Sequence, residues 1–308
     1  MRAAGGPARG GDYAGDEAVT GAGERPRIAY QGEPGAYSHA ACREARPDFE
    51  PLACPTFEEA FEIVESGGAS CAMIPIDNSL GGRVALVHHL LRDSSLHIVA
   101  EHFHRVRHCL LSLPGAEPSA IRRVKSHPHA LLQCRERIRE LDLEPVESFD
   151  TAGAAREIVE EGDPSVAAIA SRIAGETHGL EVVREGFEDH PNNVTRFVVM
   201  SREPVKIDPA AGPCITAYVF EVKSVPAALY KGLGGFATNG VNLSKIESYL
   251  DASFSVAEFY IEFEGHRDSP AVRNAVEELG FFSTTLNWLG TWPADPFRRG
   301  GNGPRVLE

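Results

Sequence analysis

The segment 192–197 combines three kinds of polar group that can act on an anionic, oxygen-bearing substrate. It reads Asn-Asn-Val-Thr-Arg-Phe and enters an apolar run typical of a strand. The Thr195 hydroxyl can donate a proton or a hydrogen bond to a leaving oxygen, and the Arg196 guanidinium suits bidentate recognition of a carboxylate. Along a strand, Thr195 and Phe197 share one face while Arg196 points to the other. The same residue types also occur where a β-branched strand residue simply lies beside a surface arginine.

Small polar residues follow several of the predicted strands in the first 200 residues. Ser38 comes after the first strand, and Asn78 and Ser79 follow the third. Ser126 and Thr151 follow later ones. In open α/β sheets, ligands bind outside the carboxyl ends of the strands, where helix N-termini present free N–H groups to anions. Each residue taken alone also suits a plain helix cap, so only the repetition indicates a ligand cleft.

The composition narrows the function classes. The chain has 308 residues and a formal net charge of -14, which argues against a nucleic-acid partner because phosphate contacts need a basic face. No apolar run approaches the ~20 residues that cross a bilayer. The sequence has neither GxGxxG nor a Walker A motif, and its twelve histidines include no HExxH. We therefore expect a cytoplasmic protein with reduced thiols that uses no cofactor and no metal.

The order of apolar runs and helical patterns predicts the fold class. Short apolar runs alternate with helical patterns from about residue 27 to about residue 200, which predicts α/β lobes with largely parallel sheets. Thr56 with Glu59 three residues later predicts a capped helix. Farther on, the pattern βαββαβ predicts a ferredoxin-like unit whose second helix ends at Gly280 and whose last strand is Phe281–Leu289. The expected boundaries are a disordered tail 1–26, a first domain 27–203, a linker 204–213, a second domain 214–293 and a tail 294–308.

Five segments in this order make the chain resemble the prephenate dehydratases, which convert prephenate to phenylpyruvate with loss of water and carbon dioxide. The segments are Tyr30–Ser38, Ile76–Ser79, Ser126–Pro128, Asp150–Ala155 and Asn193–Phe197. The resemblance implies a lyase with two lobes like those of periplasmic binding proteins and a substrate site between them. It also implies that Thr195 and Arg196 are catalytic, and that the substrate is bound by Ser38, Asn78, Ser79, Ser126, Thr151 and Phe197.

The C-terminal part resembles an ACT domain, the phenylalanine-sensing module of that family. The similar segments are Val225–Leu229 and Asn242–Ser248, although Tyr249–Leu250 stand where Arg-Pro is usual. Two further departures are Asp77 for a commoner Glu and His178 for a commoner Tyr. The resemblance implies a homodimer or homotetramer that binds L-phenylalanine allosterically; a purely structural dimerisation domain is the alternative. The implied ligand residues are Ala227, Ala228, Leu229, Asn242, Leu243, Ile246, Glu247 and Ser248.

The expected function is therefore a phenylalanine-regulated prephenate dehydratase of L-phenylalanine biosynthesis. Thr195 would protonate or hydrogen-bond the leaving hydroxyl, and Arg196 would bind a substrate carboxylate. An arogenate dehydratase would use the same residues on an amino-bearing substrate, and a non-catalytic two-lobed sensor of amino or keto acids would keep the cleft without needing Thr195. The segment 1–26 is too short for a helical chorismate mutase domain, so no mutase activity is expected.

Overall fold

The first lobe is a mixed sheet with helices on both faces. The structure, a computed structural model, describes residues 25–250 and 257–299, so most of the predicted tails 1–26 and 294–308 lies outside the described residues. The strands follow the order β2-β1-β3-β11-β5, β4 pairs with β3, and β11 runs antiparallel to both of its neighbours. The elements are β1 (Arg27–Gln31), α1 (Tyr37–Ala45), β2 (Glu50–Cys54), α2 (Phe57–Glu65), β3 (Cys71–Asn78), β4 (Gly82–Arg83), α3 (Ala85–Asp93), β5 (His97–Arg105) and β11 (Val194–Ser201).

The second lobe repeats this plan. Its sheet has the order β10-β6-β9-β7-β8, with β7 parallel to β8 and β9 and with β6 antiparallel to β9. The chain enters this lobe through residues 106–108 and leaves it through residues 186–193. Both sheets are therefore mixed rather than largely parallel. The elements are β6 (Cys109–Ser112), β7 (Arg123–Ser126), α4 (Pro128–Gln133), α5 (Arg135–Glu140), β8 (Glu144–Glu147), α6 (Thr151–Glu161), β9 (Val166–Ala170), α7 (Arg172–His178) and β10 (Glu181–Glu185).

Residues 214–293 form a C-terminal unit with the predicted βαββαβ order, and the mixed α/β fold class is confirmed. Its sheet is antiparallel throughout, in the order β13-β14-β12-β15. The second helix continues past Gly280 to Phe282, because Gly280 does not adopt the positive φ of a helix-ending glycine. The strand predicted from Phe281 accordingly starts at Ser283. The elements are β12 (Cys214–Val222), α8 (Ala228–Thr238), β13 (Leu243–Leu250), β14 (Ala257–Glu264), α9 (Pro270–Phe282) and β15 (Ser283–Pro293).

Side-chain caps start several of the helices. The Thr56 hydroxyl accepts a hydrogen bond from the backbone N–H of Glu59 at 3.2 Å, as the sequence pattern predicts. Asp150 caps α6 through the N–H of Gly153 at 2.7 Å, and Ser171 caps α7. The caps at Asp150 and Ser171 determine where α6 and α7 begin, and the starts of these two helices border the cleft between the lobes.

The C-terminal unit packs against the first lobe through a shared apolar core. Ile98 of β5, Ile215 of β12 and Trp292 of β15 belong to one buried cluster. The backbones approach closely at Gly290, where a Cβ atom would lie 2.1 Å from the carbonyl oxygen of Ile98. Only glycine fits that position without moving one of the two strands. No described helix combines the length and the apolar character that spanning a membrane requires.

Four charged residues, three of them buried, join the first lobe to the C-terminal unit beside this core. The Arg196 guanidinium donates to Glu101 at 2.9 Å and to Glu262 of β14 at 2.8 Å. Arg298 donates to the same two carboxylates at 2.6 and 3.0 Å. The ring of Phe297 stacks on Phe103, with centroids 4.5 Å apart. Residues 296–299, which belong to the predicted tail 294–308, thus form a short 3-10 helix held against the first lobe.

Acid should loosen this interface. Burial by itself raises the pKa of Glu262, but Arg196 and Arg298 outweigh burial and lower that pKa from 4.5 to about 2. Because this pKa is lower in the folded than in the unfolded protein, the ionised Glu262 carboxylate contributes its full stabilisation above pH 4.5. That stabilisation is lost as the pH falls toward 2. The loss is on the order of 3 kcal/mol in the free energy of unfolding.

Urea unfolding at a series of pH values measures this loss. In the Glu262→Gln variant the position no longer titrates, so we expect the free energy of unfolding to fall less steeply than in the wild type between about pH 5 and about pH 3. Equal slopes in the two proteins would contradict the assignment.

Candidate active site

One extra residue in β3 decides which side chains meet at the start of β11. Arg196 pairs with Asp77, but the next residue, Phe197, pairs with Pro75, so Ile76 has no partner in β11. Such a bulge re-aims the side chains beyond it. In an unbulged ladder Asp77 would lie opposite Thr195; with the bulge, Asn78 lies there instead.

Asn78 holds the Thr195 hydroxyl in one orientation. The Asn78 side-chain oxygen accepts hydrogen bonds from the backbone N–H groups of Leu80 at 3.0 Å and Gly81 at 2.6 Å. Because these donors require an oxygen, the other end of the side chain is the amide nitrogen. That nitrogen donates to Thr195 Oγ1 at 2.9 Å and to Asn193 Oδ1 at 2.7 Å. Thr195 is half-buried at the sheet edge. Because its oxygen accepts from Asn78, its own O–H remains available to a ligand.

The hydrogen bonds continue from Asn193 into the second lobe. Asn193 Nδ2 donates to Gln133 Oε1 at 2.9 Å, and the same oxygen lies 2.8 Å from His108 Nε2. His108 Nδ1 lies 2.6 Å from the hydroxyl of Tyr37, in the first turn of α1. A network of side chains therefore runs from one lobe through the crossing segments to the other and back. Gln133 and His108 were not predicted from the sequence, because neither belongs to a motif.

His108 is neutral in this network. Burial lowers the pKa of His108 below its ordinary value of 6.5. Since Gln133 Oε1 can only accept, the proton of His108 lies on Nε2. The Tyr37 hydroxyl lies 2.6 Å from His108 Nδ1 and 3.2 Å from the Arg107 carbonyl oxygen, and we assign its hydrogen to the nearer acceptor, Nδ1. Both ring nitrogens are therefore engaged, and His108 positions its neighbours rather than serving as a free base.

The lobes touch at the loop before α1. The backbone at Gly35 has φ +99, and a Cβ there would lie 2.8 Å from Cα of Ala174 in α7. The Ser171 hydroxyl donates to the Gly35 carbonyl oxygen, and Arg156 of α6 binds Glu33 at 3.2 Å. These contacts bring the N-termini of α1 and α7 to the same cleft.

Helix α1 starts without a side-chain cap. Ala36 occupies the N-cap position and offers no side-chain acceptor, so the first-turn N–H groups of Tyr37 and Ser38 are not bound by a cap. Thr151 opens α6, whose cap is Asp150, and Thr151 is half-buried. The N-terminus of α1 is therefore suited to an anion in the cleft.

Two predicted substrate-binding hydroxyls are engaged elsewhere. The Ser79 hydroxyl donates to the carbonyl of Asn192 and accepts from the N–H of Val194, both at 2.9 Å. Ser126 is fully buried and donates to the Ile169 carbonyl at 2.6 Å. Both side chains fasten backbone segments that border the cleft. This placement corrects the expectation that their hydroxyls bind substrate.

The other two residues of the Thr-Arg-Phe segment lie away from the cleft. Phe197 is 1% exposed and packs among Tyr30, Ala41 and Met73 beneath α1. Arg196 points to the opposite face of the sheet, as strand alternation predicts, and binds Glu101 and Glu262. The expectation that Arg196 binds a substrate carboxylate and Phe197 contacts the substrate is corrected accordingly.

The predicted phenylalanine-binding residues lie on two elements of the C-terminal unit. Strands β12 and β13 are both antiparallel to β14, so the start of α8 and the end of β13 lie at the same end of the sheet, whereas Asn242 and Leu243 lie at the opposite end, where β13 begins. Ala227, Ala228 and Leu229 lie at that start, and Ala227 has φ +61. The strand residues are Asn242, which donates to Glu264, Leu243, which is half-buried, Ile246, which is 45% exposed, and Glu247 and Ser248, which both contact Arg83.

Comparisons with known proteins show the family to which the chain is related. The family model described as prephenate dehydratase matches residues 28–205. A bifunctional N-acyl-homoserine lactone acylase/prephenate dehydratase of Komagataeibacter europaeus is 48% identical over 273 residues, which cover 88% of this chain and 97% of that protein. An arogenate dehydratase/prephenate dehydratase of Arabidopsis thaliana, described as chloroplastic, is 40% identical over 284 residues, 89% of this chain and 74% of that protein. The solved prephenate dehydratase of Arthrobacter aurescens in complex with L-Phe is 31% identical with a TM-score of 0.79, covering 87% of this chain and 90% of that one.

Proposed function

The chain belongs to the prephenate dehydratase family, a family of lyases, and we propose that it converts prephenate to phenylpyruvate with the Thr195 hydroxyl as the hydrogen-bond donor to the leaving group. The observation that carries this proposal is the hydrogen bond from Asn78 to Thr195 Oγ1, which leaves the threonine hydrogen free at the cleft. A cytoplasmic location and a homodimer or homotetramer stay predictions.

The reaction breaks two bonds and makes the ring aromatic. The carbon–carbon bond to the ring carboxylate breaks, carbon dioxide leaves, and the electron pair enters the ring and expels the 4-hydroxyl group. The departing oxygen takes a proton and leaves as water. Threonine is a very weak acid, so Thr195 stabilises the developing hydroxide through its hydrogen bond, and the proton comes from solvent through that site. Removing one hydrogen-bond donor to a developing negative charge costs about 10²–10³-fold in kcat.

The substrate carboxylates need cationic or N–H partners other than Arg196. The uncapped N-terminus of α1 offers the backbone N–H groups of Tyr37 and Ser38 close to the contact between the lobes. Helix N-termini bind carboxylates through such groups and through the helix dipole. We assign one carboxylate of prephenate to this position, with Ser38 and Thr151 on the two sides of the cleft.

Three alternatives use the same cleft differently. Arogenate carries an amine in place of the keto group of prephenate, and the Arabidopsis thaliana relative is described as acting on both substrates. The bifunctional relative makes N-acyl-homoserine lactone acylase a second candidate activity, because 97% of that protein aligns at 48% identity. A non-catalytic sensor would bind an amino or keto acid without turnover. Purified protein incubated separately with prephenate, arogenate and an N-acyl-homoserine lactone distinguishes these functions. We expect phenylpyruvate from prephenate; no turnover of prephenate would overturn the proposal.

Replacing Asn78 with aspartate tests the donor role of Thr195. A carboxylate at that position only accepts hydrogen bonds, so it takes the Thr195 hydrogen away from the substrate. We expect Asn78→Asp to lower kcat by about 100-fold. Protonation of the new carboxyl restores a donor, so kcat should recover partly as the pH falls.

The matched control is Asn192→Asp, which makes the same charge change at an exposed side chain three residues from Thr195. We expect kcat close to that of the wild type in this control. Equal losses in the two variants, or no recovery of Asn78→Asp in acid, would contradict the assigned orientation of Thr195.

We also propose that the C-terminal unit is an ACT domain, and that L-phenylalanine bound to it changes the activity of the cleft. A series of ion pairs supports this proposal. Glu247, in the segment expected to bind phenylalanine, pairs with Lys245 at 3.1 Å, and Lys245 pairs with Asp77 at 2.6 Å. Asp77 precedes Asn78 and lies 3.6 Å from Arg196, which precedes Phe197 and follows Thr195. A movement of β13 can therefore displace Asp77 and Arg196, which are the sequence neighbours of Asn78 and Thr195.

Lys245→Gln should uncouple the two sites. The variant keeps the residues expected to bind L-phenylalanine but removes the ion pair to Asp77. We expect calorimetry to show L-phenylalanine affinity within about threefold of the wild type, while the factor by which L-phenylalanine changes activity moves toward one. Lys206→Gln, an exposed lysine in the linker, is the charge-matched control and should keep the full response. A full response in Lys245→Gln would contradict this route.

A further inference from the structure

Two imidazoles and a carboxylate meet between α1 and β5, outside the residues that hold Thr195. Glu44 Oε2 lies 3.2 Å from His102 Nε2 and 2.8 Å from His104 Nδ1. Each residue presents one ligand atom, and the three atoms lie within 4.8 Å of one another. No step of the proposed reaction uses these groups.

Regular secondary structure holds all three side chains in place. His102 and His104 are two residues apart on β5, so they project from the same face of the sheet. Glu44 reaches them from the last turn of α1. The His104 side chain is 8% exposed and the His102 side chain 21% exposed, whereas Glu44 is 54% exposed. The two imidazoles are thus mostly shielded from water, whereas the Glu44 carboxylate is accessible to it.

The spacing fits a tetrahedral metal centre. Zinc binds imidazole nitrogen and carboxylate oxygen at about 2.0–2.2 Å, which places neighbouring ligand atoms about 3.3 Å apart. The carboxylate lies close to this distance from both imidazole nitrogens. Imidazole ligands favour zinc, cobalt, nickel and copper over magnesium and calcium. Glu44 and His104 also line a cavity of about 310 Å³ between α1 and α7, from which water can supply the remaining ligand.

The other histidines do not form such a group. All twelve lie within residues 25–250 and 257–299, so the described part of the chain includes every imidazole. Neighbouring histidines also occur at His88–His89 and at His127 with His129. Within those described ranges, the cluster at Glu44 is the one in which three ligand atoms of this kind converge.

We propose that Glu44, His102 and His104 bind one divalent transition-metal ion of the zinc class. The ion joins the end of α1 to β5. It holds His104, which pairs directly opposite Thr195 in the ladder between β5 and β11. This proposal departs from the sequence-based expectation of a metal-free protein. The spacing of His102 and His104 along a strand is visible in the sequence, but their carboxylate partner Glu44 is 58 residues away from His102 and is brought to them only by the fold.

Metal binding to the untagged, full-length protein tests the site. After dialysis against a chelator and then into chelator-free buffer, Zn²⁺ titration by calorimetry should show one ion per chain. Co²⁺ should give the visible absorption of a four-coordinate ion without a thiolate charge-transfer band, because no cysteine belongs to the cluster. A stoichiometry near zero, or a thiolate band, would overturn the proposal.

Variants locate the bound ion. Glu44→Gln and His102→Gln each remove a ligand at a position that is not fully buried, and each should weaken Zn²⁺ binding at least about tenfold. His89→Gln, at an exposed histidine of α3, is the matched control and should bind like the wild type. Circular dichroism checks that each variant is folded. Unchanged affinity in both ligand variants would show that Glu44 only accepts hydrogen bonds from the two imidazoles.

Discussion

The pairing of β3 with β11 is the constraint on which the candidate site depends. The single unpaired residue, Ile76, shifts the register so that Asn78 rather than Asp77 lies opposite Thr195. An aspartate at that place would accept the threonine hydrogen, whereas the amide of Asn78 donates to the threonine oxygen. The same shift puts Asp77 beside Arg196. One irregularity in the ladder therefore determines both the direction of the hydroxyl in the cleft and the charge behind it.

Adjacent residues of β11 serve opposite sides of the sheet. Thr195 faces the cleft and connects through Asn193 and Gln133 to the second lobe. Arg196 faces the C-terminal unit and binds Glu262. The contact with the C-terminal unit and the hydrogen bond of the candidate site are therefore made by neighbouring residues of one strand. The proposed regulation by L-phenylalanine would act through this short connection.

Local patterns in the sequence were sufficient to predict several parts of this arrangement. The capping pair at Thr56, the βαββαβ order and the position of Thr195 at a strand end all follow from spacing and residue type. Strand alternation also predicted that Arg196 points away from Thr195, although family resemblance assigned it to the substrate. The bulge at Ile76 and the contributions of Gln133 and His108 have no local signal. They arise from pairing between distant segments, which periodicity within one segment does not encode.

The central claim is that the Thr195 hydroxyl donates to the departing oxygen. The most direct test is kcat for prephenate in Thr195→Val, which keeps the shape of the side chain and removes the hydroxyl, compared with Thr195→Ser, which keeps the hydroxyl. The account predicts that the valine variant loses about 100-fold or more in kcat while the serine variant stays within about tenfold of the wild type. A folded valine variant with kcat close to that of the wild type would contradict it.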